Sequence, residues 1–204
     1  MFGFNISSAD EPVVSYWTNG NKRVETEYKN GKKNGKLTSW YENGKIASES
    51  DYIDDKLDGK TIMWYENEIK KSEIDYKEGK IDGVLILWFE NGVKKAEKEF
   101  LNDKENGKIT WWYDNGVKKS VGEMEEGKLT GKFIEWHENG EKKTETEFKD
   151  NIRDGKETIW NDKGAKLSEI KYIEGIKNPN SGKKVKEQEY KDGVMVKDYL
   201  ESAK

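Results

Sequence analysis

The chain has no cysteine, two prolines and one histidine in 204 residues. The first absence removes disulfides, thiolate zinc sites and cysteine nucleophiles together, and fits a reducing compartment. One histidine without cysteine builds no usual zinc set. Apolar residues are also scarce, 32% against 38% charged, where typical domains carry roughly 45–50% and about 25%. A thick hydrophobic core is therefore excluded. No run approaches the ~18 consecutive apolar residues of a membrane span. The opening MFGFNISSADEPVV has no basic segment leading into an apolar one, so no signal peptide is expected and the expected location is cytoplasmic. Net charge is -4 with Lys and Glu interspersed, which leaves no basic stripe for nucleic acid or an anionic membrane. The sequence also lacks a Gly-rich phosphate cradle and a serine in a nucleophile elbow. No catalytic residue, cofactor or metal is expected.

So polar a composition borders on disorder, but eight Trp and ten Tyr do not fit a solvated coil. They fall in phase. Trp17, Trp40, Trp64, Trp88, Trp112, Trp136 and Trp160 stand 23 residues apart once and 24 thereafter. Gly35, Gly59, Gly83, Gly107, Gly131 and Gly155 each precede a Trp by five. Tyr28, Tyr52, Tyr76, Phe100, Met124, Phe148 and Tyr172 keep the same step. Three columns in phase define a repeat whose unit is one supersecondary element.

Each unit reads as a β-hairpin. In GVLILWFENGVKKAEKEFLN (83–102) a run of branched and aromatic residues suits a pleated surface. ENG then makes a tight turn, because Asn and Gly tolerate positive φ, and an alternating run follows. KEGKIDG (77–83) reads as the turn into the next unit. The fold class is thus all-β: tandem 24-residue hairpins forming one long, twisted antiparallel meander. About sixteen strands ~4.8 Å apart give a sheet on the order of 75 Å long. Open sheets of more than ~10 strands curl, and the Trp side is expected to be the more tightly buried. The array occupies 15–193, with seven repeats and a degenerate eighth, between an N-terminal segment (1–14) and a C-terminal tail (194–204). In the last unit IKNPNSG (176–182) replaces the Trp strand, and Pro179 suits a capping edge.

Alternation assigns faces. Thr38, Ile62, Ile86, Thr110, Ile134 and Thr158 share the Trp face. In the second strand Ser48, Ser72, Ala96, Ser120, Thr144 and Ser168 share a face with the terminal aromatic. The opposite side carries Glu49, Glu73, Glu97, Glu145 and Glu169, then Asp51, Asp75, Glu99, Glu123 and Glu147, and reads as a solvated face rather than as acid–base pairs. His137 fills a Tyr/Phe column and reads as a surface strand residue. The seven in-phase Trp read as a structural spine. Trp111, beside Trp112, must point the other way. With Met63, Tyr65, Leu85, Leu87, Phe89, Ile109, Tyr113 and Phe133 it makes a candidate partner-binding patch over the middle repeats.

The unit G-K-x-x-x-W-Y-E-N-G-x-K-K-x-E-x-x-Y-K-D-G-K, traceable over about residues 15–193, resembles the MORN repeat variant. Tandem arrays of it resemble the bacterial YwqK-type family, described as antitoxin components of toxin–antitoxin systems. The resemblance implies hairpins in a meandering sheet and a role in binding another protein. The chain departs from the pattern at Glu68, where the turn Gly is lost, and at Val121-Gly122-Met124, where the acidic column breaks. The expected function is a non-enzymatic antitoxin or inhibitor that binds and neutralises a toxin, nuclease or other effector, including one of phage or mobile-element origin. A carbohydrate- or choline-binding cell-surface repeat protein and a bridging scaffold are the alternatives. Self-association through open sheet edges is a further expectation.

Overall fold

The computed structural model describes residues 11–173, 183–191 and 194–200. The segment IKNPNSG with Pro179 lies outside them. Among the described residues every regular element is a β-strand. They pack as two compact units, Met1–Gly92 with Phe100–Asp103, and Val93–Glu99 with Lys104–Lys204.

In the first unit β1 (Val13–Tyr16), β2 (Lys22–Lys29), β3 (Lys32–Trp40), β4 (Ile46–Ile53), β5 (Lys56–Trp64), β6 (Lys70–Lys77) and β7 (Lys80–Trp88) pair antiparallel in chain order. β8 (Lys94–Leu101) gives Lys94–Glu99 to the second unit and its last two residues to the first. In the second unit β9 (Lys104–Trp112), β10 (Lys118–Glu125), β11 (Lys128–Trp136), β12 (Lys142–Lys149), β13 (Ile152–Trp160), β14 (Lys166–Ile173), β15 (Lys183–Lys191) and β16 (Val194–Leu200) do the same. β16 falls within the stretch read as a tail. Each unit is therefore an antiparallel meander, as the 24-residue rhythm predicts.

Two turns alternate. The turn between units is shorter than KEGKIDG suggests. Glu78 and Gly79, both at positive φ (50° and 84°), make the whole of it, and Ile81-Asp82-Gly83 already belongs to β7. Positive φ at both central residues is the hairpin geometry that matches strand twist. The other turn, ENG, uses its Asn differently from the expectation. Gly44, Gly116 and Gly140 take the positive φ. The Asn side chain instead accepts from the N–H two residues on, as Asn115 Oδ1 does from Val117 (2.9 Å). Its amide then donates 23 residues ahead, from Asn115 to the Glu138 carbonyl (3.0 Å) and from Asn139 to the Asp162 carbonyl (2.6 Å). The turn thus fastens one repeat to the next.

Glu68 sits at the turn-glycine position with φ 66°. A side chain in that left-handed region costs roughly 1–2 kcal/mol. Its compensation is an ion pair to Lys45 at 3.2 Å, and such an exposed pair contributes little. Glu68→Gly is expected to raise the unfolding free energy by about 1 kcal/mol, read as a higher urea midpoint.

Register fixes the faces. Leu37 pairs with Ser50 and Ser39 with Ser48, while Thr38 pairs with Glu49 and Lys36 with Asp51. The Trp indoles lie on the second face, since Trp160 lines one cleft with Lys132, Glu145, Glu147, Lys156, Thr158 and Lys166. The acids and the tryptophans therefore share a side, and it is not the more buried one. Thr26, Ser50, Thr61, Ser72, Ala96, Ile109, Ser120, Thr146 and Glu157 are buried on the opposite face, against Thr110 and Thr158 on the Trp face. All seven in-phase Trp are half-buried. The cause is size: Ser, Thr and Ala on the hydroxyl face sink below larger neighbours such as Leu37, Ile74 and Leu85.

Candidate functional site

On the Trp face the first Lys of β2, β6, β8 and β12 has two tasks. Its ammonium lies over the indole of the next strand: Lys22 over Trp40 (5.4 Å), Lys70 over Trp88 (5.8 Å), Lys94 over Trp112 (5.5 Å) and Lys142 over Trp160 (5.5 Å). The same ammonium pairs with the Glu three residues on, as Lys70 does with Glu73 (2.8 Å) and Lys142 with Glu145 (2.7 Å). A second lysine approaches two of these Glu from the preceding strand, Lys60 on Glu73 (2.7 Å) and Lys132 on Glu145 (2.9 Å). In these repeats indole, cation and carboxylate thus partner one another, and the charges form a paired lattice.

That lattice has a pH signature. The hydrogen bond from Lys60, then that from Lys70, hold the Glu73 carboxyl below the ordinary value near 4.5. Lys142 and then Lys132 do the same for Glu145. A group depressed in the folded state stabilises above its unfolded pKa, and that stability is lost as pH falls through the folded value. Urea midpoints are expected to drop below pH 4.5. The double variant Glu73→Gln, Glu145→Gln should flatten that drop while starting from a lower plateau at neutral pH.

The second acidic column is more than a solvating layer. At Gly35, Gly59, Gly83, Gly107 and Gly155 the Gly five before Trp opens a bulge at positive φ, 111° at Gly35 and Gly107. The carboxylate nine residues before the freed N–H accepts it: Glu27 from Lys36 (2.8 Å), Asp75 from Val84 (3.1 Å), Glu99 from Lys108 (3.2 Å) and Glu147 from Lys156 (2.9 Å). Within the break at Val121-Gly122-Met124, Gly122 lies on the hydroxyl face and its presence has a packing cause. A Cβ at Gly122 would come within 2.7 Å of the Phe133 ring and 3.0 Å of Leu129, so only Gly lets Phe133 lie down there. Phe133 then meets Phe148 edge-on with centroids 6.2 Å apart.

The hydroxyl face carries most of the proposed patch, and the two units place its members separately. In the first, Met63 and Leu87 both pair with Ser72, and Leu85 pairs with Ile74. Met63 is 40% exposed and the two leucines are half-buried. Ile74 joins them. Sequence reasoning missed it because its column reads Ser, Ile, Lys, Gly, Thr and carries no repeating signal. In the second unit Trp111 pairs with Ser120, on the face opposite Trp112 as expected, with the Lys98 ammonium 4.9 Å above its ring. Phe133 is half-buried. Ile109 is 8% exposed and is core rather than contact surface.

Tyr65, Phe89 and Tyr113 follow strand ends and stand at the turns. The Tyr65 and Tyr113 hydroxyls donate to the Trp88 (2.9 Å) and Trp136 (2.8 Å) carbonyls, which makes them repeat-to-repeat connectors. His137 belongs to this series. It is a turn residue, not a strand residue, and its Nε2 lies 3.3 Å from the Trp160 carbonyl, in the tyrosine's place.

One buried acid departs from its column. Glu157 is 5% exposed where other repeats carry Leu37, Thr61, Leu85, Ile109 and Phe133. Its oxygens accept from Thr146 (3.2 Å) and Tyr172 (3.0 Å), with Arg153 Nε at 3.5 Å. Burial, then the Glu157 charge, raise the Tyr172 hydroxyl above its ordinary value. Among the described residues no group of three or more His, Asp or Glu is arranged to hold a metal, and no helix is long and apolar enough to cross a membrane.

The sequence model of the MORN repeat variant matches residues 12–30, 33–54 and 129–150. No curated protein matches the chain. The first two stretches cover β1–β2 and β3–β4, and the third covers β11–β12, so each compact unit of this all-β fold contains sequence similar to the MORN repeat variant.

Proposed function

We propose that the chain is a non-enzymatic protein-binding module, an antitoxin or inhibitor that neutralises a toxin, nuclease or other effector by docking it on the hydroxyl face. MORN repeat variant sequence suggests a repeat module for binding. The observation that carries the choice of face is its apolar half-exposure, with Met63 at 40% beside Leu85 and Leu87 in one unit and Trp111 with Phe133 in the other. Aromatic anchors such as Trp111 are enriched among the few residues that carry most of the energy in protein interfaces. On the Trp face four indoles already hold a lysine, which a choline-type cation would have to displace. Trp111 holds Lys98 in the same way, so a partner docked on the hydroxyl face must displace or cover that lysine.

The test is capture from the native host followed by co-expression. Leu87→Glu and Trp111→Ala should lose the captured protein while keeping the parental thermal melt. The captured protein alone should arrest growth, and the parental chain but not Leu87→Glu should relieve the arrest. Equal capture by all three chains contradicts the choice of face. A captured protein without toxicity contradicts the antitoxin role.

A further inference from the structure

Four of the in-phase tryptophans share one arrangement. The lysine over the indole also pairs with the glutamate three residues on in its own strand: Lys22 with Glu25 (2.9 Å), Lys70 with Glu73 (2.8 Å), Lys94 with Glu97 (2.6 Å) and Lys142 with Glu145 (2.7 Å). Arg23 lies over Trp17 (4.9 Å). Among the described residues Trp64 and Trp136 have no cation over the ring. The sequence explains both. Before Trp136 the lysine is present as Lys118, but Val121 stands at the glutamate position. Before Trp64 the glutamate is present as Glu49, but Ile46 stands at the lysine position. The two places depart from the pattern in opposite senses.

The backbone around Ile46 is that of an intact repeat. Ile46 pairs with Trp40 as Lys70 pairs with Trp64, each just past the same register shift. Only the side chain differs. Isoleucine ends at Cδ1, two atoms short of a lysine Nζ, so nothing from β4 reaches over Trp64 as the Lys70 ammonium reaches over Trp88. Ile46 itself is exposed. Glu49 is less covered for the same reason. It pairs with Lys36 (3.1 Å), whereas Glu73 holds both Lys60 (2.7 Å) and Lys70 (2.8 Å). The Glu49 side chain is 28% exposed against 18% for Glu73.

The remaining charges on this part of the face do not make up the difference. Asp51 accepts the Lys60 N–H (3.3 Å), but the Lys60 ammonium goes to Glu73 and Asp75 (2.9 Å) on the far side. Glu49 and Asp51 thus face Lys36, where Glu73 and Asp75 face Lys60 and Lys70. The place beside Trp64 is one positive charge short of its neighbour in the same compact unit.

We propose that Trp64, Glu49 and Ile46 form a site for an alkylated ammonium ion. The cation takes the position a lysine ammonium holds over the other indoles, against the Trp64 ring and beside the Glu49 carboxylate, with its alkyl groups on Ile46. The indole attracts it through the ring quadrupole, and alkylation lowers the cost of leaving water. A free quaternary amine such as choline and a phosphatidylcholine headgroup carry the same chemistry. Trp136 offers no such site, because Lys108 and Lys118 outnumber Glu123 around Val121 and repel a cation. The site lies on the face opposite the proposed partner surface and stands independently of it.

The test is titration of the full chain with tetramethylammonium chloride against equal sodium chloride. It is followed by the indole N–H signals in NMR spectra, assigned by replacing each Trp with Phe. The Trp64 signal should shift and saturate with a midpoint of about 10 mM, while those of Trp88, Trp112 and Trp136 stay in place. Ile46→Lys should abolish the shift, and Glu49→Gln should weaken binding about fivefold, with the fold kept as read by the thermal melt. Lys70→Ile should make the Trp88 signal respond as that of Trp64 does. Repeating the titration with choline and with phosphatidylcholine vesicles separates the sources: a Trp64 response to choline alone marks a free ligand, and a response to both marks a headgroup. A Trp64 signal that stays still, that moves no more than the Trp136 signal, or that still moves in Ile46→Lys would overturn the inference.

Discussion

Gly107→Ala is expected to lower the unfolding free energy by about 3 kcal/mol, and Gly131→Ala by only about 1 kcal/mol. The two glycines occupy the same column of the repeat and the same compact unit. At Gly107 φ is 111°, and a Cβ there would overlap the Glu99 carboxylate that accepts the Lys108 N–H. The substitution adds backbone strain of roughly 1–3 kcal/mol and expels a charged hydrogen-bond acceptor worth roughly 1.5–3 kcal/mol, part of which relaxation recovers. At Gly131 φ is 65° and a Cβ would meet nothing within 4 Å. Glu123 there pairs with Thr130 in the register. Only the ordinary left-handed cost remains. Urea unfolding of the two variants, with midpoints and slopes compared, checks the difference.

The second large effect is expected at Glu157. Its carboxylate is the acceptor for Thr146, itself 4% exposed, and for the Tyr172 hydroxyl. Glu157→Ala leaves those donors facing a void and should cost about 2–3 kcal/mol. Glu157→Ile restores the residue that the same column carries, buried, at Ile109. It fills the volume but leaves the Thr146 and Tyr172 donors without their acceptor, as the alanine does. A cost of about 1–2 kcal/mol is expected for it, smaller than that of the alanine by the cavity it avoids. Equal losses in the two variants would mean that the hydrogen bonds, rather than the filled volume, hold this part of the face. The Tyr172 hydroxyl, raised by burial and by Glu157, should titrate at lower pH in Glu157→Ile.

The sequence made the strands and the repeat legible because Trp, Gly and the terminal aromatic recur in phase, and a period of two resolves the faces. It also located both breaks in the pattern. Glu68 is a side chain in the turn-glycine conformation, and Gly122 is the gap into which Phe133 packs. The carboxylate caps stayed hidden, since an Asp or Glu in an alternating strand looks the same whether it meets water or a backbone N–H. They become readable only once the Gly is known to open a bulge beside them. The length of the KEGKIDG turn was misread for the same reason, because a bulged strand and a long turn share the signal Asp-Gly. The greater burial of the hydroxyl face was unexpected because indole size suggests a core, whereas short Ser and Thr side chains sink between larger ones. For the candidate site, Met63, Leu85, Leu87, Trp111 and Phe133 were readable from alternation. Tyr65, Phe89 and Tyr113 lie past strand ends, where alternation no longer assigns a face.

The 24-residue period is the mechanical unit of this fold, each repeat bonded to its neighbour chiefly by hydrogen bonds 22 and 23 residues apart. Removing residues 118–141 joins Val117 to Lys142 in the phase that Lys118 had. It should leave a cooperative, β-rich protein with a slightly smaller urea dependence. Removing only 118–129 joins Val117 to Thr130 half a period out of step and should abolish cooperative unfolding. The measurement is the urea transition of the two deletions followed by tryptophan fluorescence. A sharp transition is expected for the first and none for the second. Two equally cooperative transitions, or none in either, would contradict the 24-residue unit.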